Sequence, residues 1–447
     1  MTRKAFPLSG QFFASLMIFF VALSTASAAT ADKGVKELHR FFGGDGENPT
    51  STLIADAAGN LYGTTELGGG DGFYGTVFEL SPPSVSGGAW TETTLYIFGN
   101  HGDGARPRAG LIFDAAGNLY GTTSDSNAGG FGEIFQLSPP AVTGGLWTET
   151  VLYSFGGVAD GAYPQGSLVS DPSGNLYGAS ETSVFELSPP TQPGAPWAFT
   201  LLHKFKCCKD DGWSAQSSLV RDVQGNLYGT TLWGGLDGSP WCGSLGCGTV
   251  FMVSPPATPG DAWSETVIHR FWGVTGGKDG INPLAGLALD ASGNVYGTTY
   301  ALGVNGGGIV FQLKRPATAG GKWVENVIHS FSYSNGDGAA PLASPIFDAS
   351  GNLLGTTLFG GKACFFNSTA YGCGIVYELK PPATGSGPWT ENILYRFNRS
   401  QNSPKQPEAG LLLDNDGNLF GTSTYGGYQV CQPGQGNGCG TVYEVIR

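Results

Sequence analysis

The sequence predicts an all-β protein, a seven-bladed β-propeller made of four-stranded antiparallel blades. Among 447 residues there are 74 glycines and 27 prolines, aromatic residues make up 12% and charged residues only 13%. This composition is typical of short strands joined by tight turns. One motif recurs seven times, and a single strand near the N-terminus matches the strand that the last repeat lacks. Repetition and matching ends together indicate a closed ring.

The repeated motif is D-x-x-G-N-[LV]-[YFL]-G-[TA]-[TS]. Its first residues are Asp56, Asp114, Asp171, Asp222, Asp290, Asp348 and Asp414. In the second copy the strand-like runs are 110–114, 118–123, 133–137 and 147–155. Asp and Gly supply the turn between the first two runs, and Ser-Pro-Pro ends the third, since proline cannot continue a ladder. Four antiparallel runs at this spacing predict one propeller blade.

The chain ends predict how the ring closes. A fourth-strand signature ending in [HY]-x-F also occurs before the first repeat, at 35–41, and the last repeat stops after its third run, at 441–446. Pairing these two segments hides the sheet edges that a linear solenoid, the alternative, would expose. We expect one domain over 29–447. Its repeat cores are 51–98, 109–155, 166–205, 217–271, 285–331, 343–397 and 410–446 with 35–41.

The first 28 residues have the features of a signal peptide. Arg3 and Lys4 precede a twelve-residue apolar run at 12–23, and the small residues Ala26-Ser27-Ala28 fit a cleavage site. The apolar run is shorter than a bilayer span, and no later run is long enough for one. The mature protein is therefore expected to be periplasmic, extracellular or at the cell surface, with no integral membrane segment.

Charge narrows the set of partners. The formal net charge is −13 and becomes −15 when residues 1–28 are removed, because Arg3 and Lys4 leave without any acid. Nucleic acids and anionic membranes require a basic face, so both are disfavoured as partners. A neutral glycan or a protein remains, and we expect the chain to be a monomer.

The repeat also resembles a known family. The pattern D-G-x-x-P, as at Asp103-Gly104 with Pro107, is followed by the glycine-rich motif at 110–123, and G-T-V-F-E-L occurs at 75–80. These segments resemble the GloVer tandem repeat of "choice-of-anchor" bacterial surface proteins over nearly the whole mature chain. The resemblance implies an exported surface protein and assigns no activity. Members often end in an anchoring tail, and we do not expect such a tail in the sequence up to Arg447. The strand order is more loosely similar to NHL-type propellers, which bind proteins, RNA or small molecules and in some relatives catalyse.

Alternating strand direction places two kinds of loop at one end of the propeller, here called the top face: the fourth-to-first loops and the second-to-third loops. The second-to-third loops vary in length, which is typical of binding surfaces on repeated scaffolds. All eight cysteines belong to this face. In an exported protein we expect the disulfides Cys242–Cys247, Cys364–Cys373 and Cys431–Cys439, with Cys207 and Cys208 either bonded to each other or to the first pair. A zinc site is the alternative.

Six aspartates, each followed by glycine, recur before the hairpin motif. They are Asp45, Asp103, Asp160, Asp211, Asp279 and Asp337. Around a channel mouth they are candidates for binding Ca²⁺ or sugar hydroxyls. The favoured interpretation is a turn in which each carboxylate caps nearby backbone N–H groups, so no cofactor is expected.

The remaining candidates leave two functions open, a binding module, which we favour, and a carbohydrate-active enzyme such as a polysaccharide lyase or hydrolase. His39, His203, His269 and His329 occupy a repeat position filled elsewhere by Tyr and are interpreted as structural. The non-repeated His101, with Arg106 and Arg108, is the catalytic candidate. Non-repeated aromatics on the top face are candidates for stacking on sugars: Trp213, Trp233, Trp241, Phe359, Tyr371, Tyr425 and Tyr428.

Overall fold

A computed structural model describes residues 34–447 apart from short gaps. The gaps are 71–73, 86, 100–102, 127–129, 143, 158, 193, 208–209, 236–240, 259, 274–277, 319, 335, 363, 367–368, 386, 401–402, 429–430 and 432–437. The predicted signal peptide, 1–28, lies outside the described residues. Within the described part, the structure has no helix of the length and apolar character needed to span a bilayer.

Seven four-stranded antiparallel sheets form the blades of a β-propeller, which confirms the predicted fold class. Blade 1 has Ile54–Ala55, Leu61–Thr65, Thr76–Ser81 and Thr91–Ile97; blade 2 has Ile112–Phe113, Leu119–Thr123, Glu133–Ser138 and Thr148–Ser154; blade 3 has Val169–Ser170, Leu176–Ala179, Ser183–Ser188 and Ala198–Lys204; blade 4 has Val220–Arg221, Leu227–Thr231, Thr249–Ser254 and Ser264–Arg270; blade 5 has Ala288–Leu289, Val295–Thr299, Gly306–Lys314 and Val324–Ser332; blade 6 has Ile346–Phe347, Leu353–Thr357, Ile375–Lys380 and Thr390–Arg396; blade 7 has Leu412–Leu413, Leu419–Ser423, Thr441–Val445 and Val35–Arg40.

Blade 7 is completed by the N-terminal strand. Val35 pairs with Val445 and Arg40 with Thr441, so the first and last strands of the chain share one ladder. The sequence predicted this pairing from the matching deficits at the two ends. The ring therefore closes through backbone hydrogen bonds, and blade 7 gains the fourth strand that the C-terminal repeat lacks.

The first strands are shorter than the sequence predicted. In blade 2 the predicted run 110–114 is reduced to Ile112–Phe113. The residues before it bond to the neighbouring blade instead, since the Ala109 carbonyl accepts a hydrogen bond from Thr64 Oγ1 of blade 1 at 3.0 Å. Asp114 leaves the ladder as well, because its Oδ1 accepts bonds from the N–H groups of Ala116 and Asn118. Each blade therefore has its longest pairing between the second, third and fourth strands.

Every blade interface contains one edge-to-face or tilted pair of aromatic rings. The last aromatic residue of [HY]-x-F on one blade meets the third-strand ring of the next, at centroid distances between 5.1 and 5.3 Å. The pairs are Phe41–Phe78, Phe98–Phe135, Phe155–Phe185, Phe205–Phe251, Phe271–Phe311, Phe331–Tyr377 and Phe397–Tyr443. These rings are almost fully buried. Each pair belongs to its own hydrophobic cluster, and the seven clusters, one at each interface, follow one another around the propeller as a belt.

A β-bulge interrupts every fourth strand next to this belt. In blade 1, Val77 pairs with Tyr96 but Phe78 pairs with Thr94, so Leu95 is the extra residue. The same register shift occurs in all seven blades. A bulge changes the direction in which the following side chain points. Here it turns the His or Tyr of [HY]-x-F toward the next blade.

Substituting Phe41 tests whether the N-terminal strand closes the ring. Phe41 is fully buried against Phe78, whereas the adjacent Phe42 is 58% exposed. We expect Phe41→Ala to lower the free energy of unfolding by about 3–5 kcal/mol, the usual cost of truncating a buried Phe. Phe42→Ala is the matched control and should change it by less than about 0.5 kcal/mol. Chemical denaturation of the mature protein measures both. Equal, small effects would contradict the closure.

Candidate functional site

The top face is organised by seven short segments that run from each fourth strand to the next blade. At the equivalent position of each segment a residue other than glycine has a positive φ between 54° and 63°, and Cys207 is a further such residue in the segment before blade 4. The seven equivalent residues are Asn48, Arg106, Tyr163, Ser214, Asn282, Ala340 and Gln406. This left-handed conformation is uncommon for such residues. The hydrogen bonds of Asn282 show what holds this conformation. Its N–H donates to the Cys247 carbonyl of blade 4 at 2.9 Å, and its carbonyl accepts from the Tyr300 N–H of blade 5 at 3.0 Å. The bend thus joins two blades.

Two residues after each bend, a side chain lies at the channel axis. These seven residues line one cavity of about 120 Å³ together with their neighbours: Thr50, Arg108, Gln165, Gln216, Leu284, Leu342 and Glu408. We call them the channel-mouth residues. A water molecule takes up about 30 Å³, so the cavity has room for a few waters or for one end of a larger ligand. Five of the seven channel-mouth residues have hydrogen-bonding side chains, and the surface that the cavity exposes is almost entirely polar.

Charges at the channel mouth are concentrated where blade 7 meets blades 1 and 2. Arg108 forms an ion pair with Glu66 of the blade 1 loop. Burial raises the pKa of Glu408 to about 7, the negative charge of Glu66 adds to the rise, and Arg108 opposes it. Burial also raises the pKa of the Tyr425 hydroxyl, helped by Glu408, Glu66 and Glu47. Tyr425, one of the aromatic residues predicted to stack on sugars, therefore lies near these acidic side chains.

A neutral polar atom also faces this region. Thr50 Oγ1 is buried and has no hydrogen-bond partner among the described residues. Buried hydroxyls are nearly always paired, so a group that enters the cavity gains a partner there.

The other predicted aromatics are spread over blades 4, 6 and 7. Trp213 and Trp233 lie opposite each other in a two-residue ribbon, so both side chains leave the same side of it. Phe359 and Tyr371 have ring centroids 5.3 Å apart. Trp241, Tyr371 and Tyr428 expose between 41% and 54% of their surface. The structure places these rings in three groups and not in one continuous platform.

The disulfides brace the loops that receive the left-handed bends. Cys242 is bonded to Cys247, Cys364 to Cys373 and Cys431 to Cys439, with Cα separations of 5.2 to 5.3 Å. The carbonyls of Cys247, Cys373 and Cys439 accept the hydrogen bonds of Asn282, Gln406 and Asn48. Cys207 is disulfide-bonded, and Cys208 lies outside the described residues. Disulfides are typical of oxidising compartments, so these bonds are consistent with an exported protein.

The six repeated aspartates do not surround the channel. None of them lines the axial cavity. Each lies between two blades, where its carboxylate accepts a hydrogen bond from a backbone N–H just after the belt Phe, as Asp160 does from Gly156 at 2.9 Å. The His or Tyr side chain of [HY]-x-F faces the same carboxylate, and the Tyr153 O–H donates to Asp160 Oδ2 at 2.6 Å. The bulge and the loop hold each Asp at its own interface, so the six carboxylates do not form one ring around the channel mouth. The capping interpretation agrees with the contacts.

The structure describes two members of the catalytic trio, Arg106 and Arg108, and His101 lies outside the described residues. Arg106 is the left-handed residue of its segment and is bonded through its backbone to Tyr74, and of the two arginines only Arg108 lines the axial cavity. The sequence analysis missed Glu408, Gln165, Gln216 and Thr50. The available signal was the position after a proline that recurs in six of the seven copies, because this position varies widely in chemistry while the residue that follows it is always small.

Comparison with known proteins identifies the family. Residues 25–184 and 179–429 match the Gloeobacter/Verrucomicrobia repeat. The chain belongs to this family. No curated protein matches it in sequence. Among solved structures, PorZ, a surface component of the type-IX secretion system of Porphyromonas gingivalis, is 14% identical with a TM-score of 0.49 over 89% of this chain and 46% of PorZ. The Trichoderma reesei family AA12 carbohydrate-active enzyme is 12% identical with a TM-score of 0.42 over 92% of this chain and 95% of that chain. The chain thus spans less than half of PorZ, and at these identities the likeness concerns the fold alone.

The interface of blades 1 and 2 generates a prediction about pH. Burial raises the pKa of Glu149 to about 7, and the charges of Asp103 and Glu133 add to the rise. A carboxyl whose pKa is higher in the folded than in the unfolded chain stabilises the fold fully below pH 4.5, and this contribution is lost as the pH rises through 7. We expect Tm to fall by about 2–4 °C between pH 5 and 7.5 through this group.

Replacing Glu149 by Gln should make that dependence shallower, because the neutral amide does not titrate. Asp416→Asn, in an exposed turn, is the control and should leave the slope unchanged. Scanning calorimetry of the three proteins across this pH range measures the effect. Parallel curves for the wild type and Glu149→Gln would show that the group does not control the slope.

Proposed function

We propose that the protein is an exported binding module that takes one end of a neutral glycan into the channel mouth. The observation that carries the proposal is the set of channel-mouth residues, a non-repeated group of hydrogen-bonding side chains on an otherwise repeated scaffold. A rigid ring that changes at one position per blade is suited to recognising a ligand without symmetry. The signal peptide features at 1–28 and the disulfides support export.

The chemistry of the mouth suits sugar hydroxyls, which both donate and accept hydrogen bonds. The amides of Gln165 and Gln216 do the same, Arg108 donates, and Glu408 provides a carboxyl group. Since the chain carries a formal net charge of −13, a neutral glycan is favoured over a polyanion.

The size of the cavity restricts how the ligand lies. About 120 Å³ is too small for a whole oligosaccharide, so only a terminal group enters and the rest lies across the top face. Trp213 with Trp233, and Phe359 with Tyr371, are the rings available along that path, together with Tyr425 at the rim. Aromatic rings of this kind stack on the C–H faces of sugars.

A glycan array followed by calorimetry of the best ligand tests the proposal. The double variant Gln165→Ala/Gln216→Ala should weaken binding about tenfold, which corresponds to two lost hydrogen bonds. Gln224→Ala is the matched control, since Gln224 is exposed in the hairpin at the opposite end of blade 4. Unchanged affinity in the double variant, with weaker binding in Trp213→Ala, Trp233→Ala or Trp241→Ala, would place the ligand on the rings. If no glycan binds, a protein partner is favoured.

Glu408 supports a second candidate function, a carbohydrate-active enzyme at the same mouth. A carboxyl whose pKa is about 7 is partly protonated at neutral pH and is suited to general acid catalysis. Glu66 lies close enough to raise that pKa, so the mouth has two carboxyl groups in different environments.

Reducing-sugar and unsaturated-product assays on the polysaccharides that bind distinguish the two functions. For an enzyme, Glu408→Gln should reduce turnover at least about a hundredfold while binding persists, because general acid catalysis contributes roughly 10²–10⁴. His101→Ala tests the sequence-based candidate in the same assay. Saturable binding without product in the wild type supports the binding module.

A further inference from the structure

Four blade interfaces bring a His, an Asp and a Glu together. The His belongs to the fourth strand of one blade, the Asp to the segment that follows it, and the Glu to the fourth strand of the next blade. In each group the ligand atoms lie within 4.8 Å of one another. The groups are His39, Asp45 and Glu92; His203, Asp211 and Glu265; His269, Asp279 and Glu325; and His329, Asp337 and Glu391.

Two of the four groups are closed by an internal hydrogen bond. His39 Nε2 lies 2.9 Å from Asp45 Oδ2, and His203 Nε2 lies 3.2 Å from Asp211 Oδ2. In these groups the imidazole already has the carboxylate as its partner. They therefore need nothing further to satisfy the ring nitrogen.

The groups between blades 4 and 5 and between blades 5 and 6 are open. His269 Nε2 is 3.6 Å from Asp279 Oδ1 and 3.8 Å from Glu325 Oε1. His329 Nε2 is 3.7 Å from Asp337 Oδ2 and 3.8 Å from Glu391 Oε1. These separations are too long for hydrogen bonds.

Several facing atoms in the open groups are buried without a partner among the described residues. They are His269 Nε2, Asp279 Oδ1, Glu325 Oε1, His329 Nε2 and Glu391 Oε1. An unsatisfied buried polar atom is costly, and two adjacent carboxylates repel each other. Their spacing is close to that of ligands sharing one metal ion. With metal–ligand bonds of about 2.0–2.2 Å, tetrahedral ligands lie roughly 3.3–3.6 Å apart.

We propose that the groups His269–Asp279–Glu325 and His329–Asp337–Glu391 each bind one Zn²⁺ ion, with water completing the coordination. An imidazole nitrogen with two carboxylates suits zinc, whereas calcium takes oxygen ligands alone. The aspartates are oriented by backbone groups, since Asp279 Oδ2 accepts from Trp272 N at 2.8 Å and Asp337 Oδ2 from Ser332 N at 3.0 Å. Such outer contacts commonly fix metal-binding carboxylates.

The first of these sites lies beneath a cleft on the outer rim. His269 and Glu325 line a cleft of about 940 Å³ between the fourth strands of blades 4 and 5, together with Arg315, Lys322 and Trp323. An ion can enter from this cleft. Because the Glu comes from the following blade, the ion joins two outer strands that share no backbone ladder, and binding therefore stabilises the folded ring.

The chain provides its own control for the His position. Between blades 1 and 2, Tyr96 O–H donates to Asp103 Oδ2 at 2.6 Å, and between blades 2 and 3 Tyr153 does the same to Asp160. A Tyr at this position thus closes the group by a hydrogen bond within the same fold. His269→Tyr and His329→Tyr should fold and lose the ring nitrogen that binds zinc.

The experiment counts ions on the mature protein after chelator treatment, dialysis against Zn²⁺ and elemental analysis by mass spectrometry. We expect two ions per chain, one in each single Tyr variant and none in the double variant. His39→Tyr and His203→Tyr should leave the count at two. Added Zn²⁺ should raise the Tm of the wild type and leave that of the double variant unchanged.

Zinc absent from the wild type, or two ions retained by the double variant, would overturn the proposal. Calcium binding that survives the double substitution, with no zinc bound, would also overturn it. If the Tyr variants fail to fold, Glu325→Gln with Glu391→Gln decides the question, because the amides keep the shape of the carboxylates and should likewise abolish both ions.

Discussion

The edge-to-face contact between the last aromatic residue of one blade and the third-strand ring of the next is the interaction on which the rest of the structure depends. It recurs at all seven junctions, including the one that joins the N-terminal strand to blade 1. It also explains the invariant glycine of the repeat. A Cβ at Gly63 would lie 2.7 Å from Phe78 Cζ and 2.9 Å from a Leu53 methyl group, so only glycine lets the ring pack over the second strand. Each blade is thereby locked at one angle to its neighbour.

Because the blades are locked in this way, most positions of the repeat serve the structure of the ring, and one position varies. Threonines of the second strand bond to carbonyls of the next blade, as Thr422 does to Ser51 across the closure at 3.1 Å. Left-handed bends and disulfide-braced loops hold the segments at the axis. The side chain two residues after the bend does not hold the ring together, because it points into the cavity. Variation there changes the lining of the cavity without cost to the ring, and hydrogen-bonding, charged and apolar residues are found at equivalent places.

The blade interfaces combine an apolar belt with a polar rim. His or Tyr, Asp and Glu meet just outside the belt, and the residues exchange from one interface to the next. Phe199 replaces the Glu between blades 2 and 3 and stacks on Tyr153, with centroids 4.3 Å apart and planes 10° from parallel. A polar group and an aromatic stack are thus alternatives at equivalent places in the blade interfaces. The polar version brings carboxyl groups close together, so that negative charge adds to the rise that burial causes in the pKa of Glu149, Glu265, Glu325 and Glu391.

The sequence by itself determined the number of blades, the closure and three of the disulfides, because each depends on residues that recur at fixed spacing or lie close together in the chain. The capping interpretation of the Asp turns agrees with their hydrogen bonds, whereas their location between the blades was not evident from the sequence. Tertiary structure decided which residues face one another. Glu325 meets His269 across two blades, and Glu408, Arg108 and Gln216 meet at the axis from three blades. These contacts depend on the angle between blades, on a one-residue bulge and on a left-handed bend. Packing between distant segments of the chain determines all three features, so they cannot be read from residues that are neighbours in the sequence.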